Sequence, residues 1–120
     1  MTKTINLYSQ LDKFNDYCSP KVIAEMNNYQ FKLVKIKGEF LKHHHGNTDE
    51  VFIVIKGCMK IEFDDETVEI ELGEVIVVPK GVDHKPFAEK ESHVMLVEPK
   101  GVLNTGNVKG DLTAPNDEWI

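Results

Sequence analysis

The chain has 120 residues, 41% hydrophobic and 28% charged, which is enough for one domain with a proper core but not for two. Its net charge is −6 and all 14 basic residues are lysines, so it lacks the arginine fork that grips phosphate and guanine, and nucleic acid is not an expected partner. No apolar run approaches the ~20 residues of a membrane span. The start, MTKTINLYSQ, has no apolar signal core, so a cytoplasmic protein is expected. Cys18 and Cys58, 40 positions apart, read as reduced, buried thiols rather than a disulfide.

In chain order, residues 5–16 place Leu7, Tyr8, Leu11 and Phe14 at helical spacing and predict a short helix on the main body, closed by Ser19-Pro20. Val22–Met26 and Tyr29–Lys37 read as strands joined at Asn27-Asn28. Gly38 ends the second and leads into the run His43-His44-His45. From Glu50 to Ile55, Glu50, Phe52 and Val54 share one face and Val51, Ile53 and Ile55 the other, as in an interior strand.

Gly57 marks the next turn. Met59, Ile61 and Phe63 then alternate with charged residues, as do Val68, Ile70 and Leu72, predicting a hairpin with one wet face around Asp65-Glu66. Its acidic side is a solvated surface that resists edge pairing. Val75–Val78 is a short buried strand, Pro79-Lys80-Gly81 a turn, and His84 lies on the strand that follows. His93–Glu98 is the last strand, with His93 structural.

Beyond Pro99 the regular patterning stops. The expected division is an N-terminal helical arm (1–19), a β-barrel (20–100) and an extended tail (101–120). Trp119 and Ile120 are expected to pin that tail to the body or to a partner chain. Eight or nine short strands with no helices between them predict an all-β sandwich or barrel.

The chemistry concentrates in the histidine run. His43 and His45 alternate, so on a strand both rings leave one face while His44 points the other way. Glu50 follows across a polar turn, and His84 is the best candidate for a fourth donor. A bare His-x-His is more often a solvated turn; four converging donors are a metal site. Three imidazoles and a carboxylate suit Fe(II), Mn(II), Ni(II), Co(II) or Zn(II), whereas Ca(II) and Mg(II) prefer all-oxygen shells.

Two motifs make the reading specific. Gly38-x4-His43-x-His45-x4-Glu50-x6-Gly57 resembles the first motif of the cupin superfamily, and Gly73-x5-Pro79-x-Gly81-x2-His84 resembles the second, 15 residues later. The first Gly-to-His gap is one residue short, and Ala88 stands where an asparagine is frequent. The Glu98–Gly101 and Leu103–Gly106 stretches resemble the ending of small bacterial cupins labelled mannose-6-phosphate isomerase-like, a label that establishes no substrate.

The resemblance implies a double-stranded β-helix (jelly-roll) barrel with His43, His45, Glu50 and His84 as metal ligands. It also implies a homodimer, with residues 1–30 well placed for exchange of N-terminal strands. Strand alternation points Phe52, Val54, Met59, Ile61, Pro86 and Ala88 inward, predicting a rather apolar pocket for a small-molecule ligand. The expected function is metal-dependent binding of a small organic molecule, with isomerase/epimerase or dioxygenase chemistry and Glu50 as the catalytic base. The alternative is a non-catalytic binding or sensing module. No serine, cysteine or lysine stands out as a nucleophile.

Overall fold

The computed structural model describes residues 2–120. One helix turn, α1 (Leu7–Leu11), precedes β1 (Lys21–Met26) and β2 (Tyr29–Glu39). After the histidine run come β3 (Glu50–Lys56), β4 (Cys58–Glu62), β5 (Thr67–Glu71), β6 (Val75–Val78) and a long β7 (Lys85–Pro99). The main sheet runs β1-β2-β7-β3-β6, all antiparallel, and the β4–β5 hairpin joins it through the first residues of β7. Among the described residues no helix is long and apolar enough to cross a membrane.

Two expectations are corrected. The helix is five residues long, not twelve. Asn6 caps its start by accepting from the Ser9 amide at 3.0 Å. Past Asp12, Asn15 and Asp16 favour turns over helix, and the Phe14 carbonyl accepts from Lys35 Nζ at 2.7 Å. Leu11 and Phe14 still bury together on Leu33 and Ile23, so the spacing was right about the face.

The strands number seven rather than eight or nine. From Lys85 to Pro99 the chain is one continuous strand, with its register to β2 shifted near Glu89–Ser92 and long enough to pair with β2, β3 and β4; His84 lies one residue before it, in an isolated bridge to His43. Exposed charges at Glu89–Glu91 look like a loop in sequence. Their backbone lies between the part of β7 that pairs with β3 and the part that pairs with β4.

The inner faces of both sheets enclose the main core, with Val34 and Ile36 from β2, Phe52 and Val54 from β3, and Val94 and Leu96 from β7. Met59 and Ile61 from β4 and Ala88 from β7 close it from the hairpin side. The tail is pinned as expected, to the body. Val22 donates to the Glu118 carbonyl at 2.7 Å and accepts from Ile120, whose side chain joins the Leu11–Leu33 cluster. Trp119 itself is half exposed.

Candidate metal centre

His43, His45, Glu50 and His84 come together, all buried, with one donor atom from each lying within 4.8 Å of the others. His43 and His84 stand opposite each other on short, extended segments. Each backbone amide donates to the other's carbonyl, at 3.0 and 2.8 Å. His45 accepts from the Gly81 amide at 2.8 Å, and Asp49 accepts from the Lys80 amide at 2.9 Å. These bonds stitch the histidine run to the Pro79–Gly81 turn. Glu50 opens β3 beside Val78 of β6. His44 points away and bonds Asp83 at 2.7 Å, and buried His93 bonds Glu91, so neither joins the cluster.

The local bonding prepares the rings for a cation. His43 Nδ1 lies 3.0 Å from the Leu41 carbonyl and His84 Nδ1 2.9 Å from that of Val82. A carbonyl can only accept, so each Nδ1 carries the hydrogen and each Nε2 faces the cluster with a lone pair. His45 Nε2 and His84 Nε2 sit 3.2 and 3.3 Å from Glu50 Oε1, yet all three atoms are buried without a hydrogen-bond partner. A buried carboxylate oxygen and imidazole nitrogens left facing one another without hydrogen-bond partners form a cradle that a cation would satisfy. Mixed N/O donors of this kind fit a divalent transition metal.

The titration behaviour agrees. Burial lowers His43 to about 4, so its ring stays neutral and ready to ligate at neutral pH. Burial works to raise Glu50, but the facing His45 and His84 and neighbouring Glu98 outweigh it and hold the carboxyl below the usual range. In metal-free protein, NMR of the His43 ring is expected to give a midpoint near pH 4; a midpoint near 6.5 would mean an open, hydrated ring.

The unfolded chain binds this proton more readily, so His43's contribution is full above about 6.5 and lost as pH falls toward about 4. Glu98 works the other way. Burial and the Glu50 charge raise it, so its contribution is lost as pH rises. The ring resonance, unlike a melting curve, isolates His43.

Of the six expected pocket residues, Phe52 and Pro86 line a cavity of about 40 Å³ against His43 and Glu50. Val54, Met59, Ile61 and Ala88 do not reach it; they are packed into the core. Inward alternation is common to core and pocket, and only barrel depth separates them.

Three features escaped the sequence reading. The outer wall of the cavity is built from Cys18 of the N-terminal arm, Pro20 just beyond it and Asn104 of the tail. Asn104 Nδ2 donates to the carbonyls of Cys18 and Leu112, both at 2.9 Å, and Oδ1 accepts from the Ala114 amide. Cys18 itself holds a left-handed φ of 60°.

Second, the tail clasps the histidine run. Asn107 accepts from the His44 amide through Oδ1 and donates back to its carbonyl, at 2.9 and 3.1 Å, while Gly106 lies against the His43 ring. Third, buried Glu98 follows Glu50 across the strand pair and takes Lys32 Nζ at 3.0 Å. Both share the inward parity of their strands, with Val34 and Leu96. That signal was available: a charge on the apolar face.

An antiparallel β-barrel with a buried four-donor cluster at its inner wall defines a β-barrel protein with a site that could hold a metal ion. The chain belongs to the cupin domain family, which matches residues 32–99, and its fold is that family's double-stranded β-helix. It is similar to a cupin-2 domain-containing protein of Shewanella frigidimarina (52% identity, TM-score 0.79, covering 80% of this chain and 94% of that one). It is also similar to a protein from Neisseria meningitidis (37% identity, TM-score 0.75, covering 81% and 99%). The uncharacterised protein YdbB of Bacillus subtilis (strain 168) is 31% identical over 101 residues, 83% of this chain and 89% of that one.

Proposed function

We propose that the protein holds one divalent transition metal on His43, His45, Glu50 and His84 and binds a small organic molecule there. The observation that carries the reading is the set of buried, unpartnered atoms, His45 Nε2, His84 Nε2 and Glu50 Oε1, converging on one point. Such a metal, when bound, supplies Lewis acidity and open positions for an oxygen donor. Glu50 balances its charge, the backbone carbonyls of Leu41 and Val82 hold two rings in register, and the apolar wall excludes water.

Two readings share this site: an isomerase/epimerase or dioxygenase using Glu50 as base, and a binding or sensing module without turnover. Elemental analysis of untagged protein is expected to find about one transition metal per chain. Metal-free wild-type protein of undiminished stability would end the metal reading. Oxygen uptake by anaerobically Fe(II)-loaded protein, screened against small diketones, thiols and phenols, separates enzyme from binder.

The reading includes a homodimer in the cytoplasm. Unpaired Cys18 and Cys58 support a reducing compartment. The outer face of the main sheet carries two apolar rows, Phe31-Val97-Val51-Val77 and Leu33-Met95-Ile53-Val75. Helix α1 covers the Leu33 end, but Val75 and Val77 on edge strand β6 are 60% and 54% exposed. Because β1 pairs with β2 of its own chain, this sheet face, rather than an exchanged strand, is the better support for pairing. Sedimentation equilibrium is expected to give a dimer for wild type and a monomer for Val77→Glu.

A further inference from the structure

The walls of the cavity beside the cluster narrow what it can take. Val34, Ile36, Phe40, Phe52 and Leu96 surround it with Cys18 and Asn104 at its outer wall, and among the described residues no lysine lines it. The one amide at its rim, Asn104, has both nitrogen hydrogens and its oxygen already engaged. Lys32, the buried cation on the same inner face, is bound to Glu98 and faces the Val102 carbonyl. Apart from the weakly donating Cys18 thiol, a ligand's hydroxyl or phosphate oxygens would find no free side-chain donor among the described lining residues, and each would be left unsatisfied.

Charge gives a second limit. With Lys32 paired to Glu98, a divalent ion beside ionised Glu50 carries one net positive charge, which a single negative charge cancels. A phosphate dianion would leave an unpaired charge in an apolar cavity. Size gives a third: about 40 Å³ accepts about three water molecules or a body of a few carbons.

Resting on the metal reading above, we propose that this cavity takes a small monoanion, a single oxygen-bearing head such as a carboxylate on a short apolar body, and rejects sugar phosphates. Phe40, whose ring meets that of His43 edge-on at 5.6 Å, sets the length of that body.

The test titrates Co(II)-loaded full-length protein with butyrate, hexanoate, mannose 6-phosphate and inorganic phosphate, reading the Co(II) visible spectrum and the melting temperature. Butyrate is expected to bind at least ~10-fold more tightly than either phosphate compound. Phe40→Ala, with Co(II) stoichiometry unchanged, is expected to shift the preference from butyrate to hexanoate. Equal or tighter binding of mannose 6-phosphate to the wild type overturns the proposal whether or not the variant folds. So does an unchanged chain-length order in folded Phe40→Ala. Failure to take up Co(II) at all overturns the metal reading instead, and the inference with it.

Discussion

His84→Ala is expected to weaken transition-metal binding by roughly 100-fold or more, since even residues that only orient metal ligands are worth 10–100-fold. His84 is almost fully buried, its Nδ1 is fixed by the Val82 carbonyl, and its Nε2 faces Glu50 Oε1 at 3.3 Å. Removing it takes away a ligand and leaves the buried Glu50 carboxylate with one facing imidazole instead of two. The apo-protein is expected to lose stability as well, because deleting an almost fully buried ring leaves a cavity.

His44→Ala is the matched control, because His44 lies one position from two ligands yet turns outward to Asp83. Co(II) titration and urea denaturation of both variants give the comparison. A His84→Ala protein that keeps one tightly held metal would remove His84 from the site.

The second large effect is expected far from any proposed ligand in sequence. Gly106 has φ +57°, and a Cβ there would lie 2.2 Å from the His44 carbonyl oxygen and 3.0 Å from His43 Cδ2. The first contact is with backbone and cannot be relieved by turning a side chain. Gly106→Ala must therefore push the tail off the histidine run and break the paired Asn107–His44 bonds.

The left-handed conformation alone costs an alanine roughly 1–2 kcal/mol, and the clash adds to it. Because His43 loses its neighbour, Co(II) affinity should fall together with stability. Gly110→Ala meets open space at an ordinary φ and is expected to change stability by less than ~0.5 kcal/mol. If the two variants melted alike and bound Co(II) equally, the tail would have no part in the centre.

That tail marks the boundary of what a linear reading can find. The ligand set was available in sequence because its chemistry is local: alternation fixes which histidines share a face, and the Gly-Pro-Gly punctuation locates the turns that bring His84 back. The wet face of the β4–β5 hairpin followed from the same alternation, and the β1–β2 pairing from the Asn27-Asn28 turn between two strand-like runs. Helix length did not, because the Lys35 bond to Phe14 is a tertiary contact that competes with the next helical turn.

Pocket membership did not follow either. Phe52 and Met59 both obey the inward parity, yet one lines the cavity and the other fills the core. By itself, then, the sequence determined an all-β barrel and the identity of its four converging donors, since periodicity and residue type are properties of short stretches. The tertiary structure alone decided how the site is closed. Asn104 reaches Cys18 across 86 positions, Asn107 reaches His44 across 63, and Gly106 lies against the His43 ring, through amide side chains and one missing Cβ that leave no periodic trace.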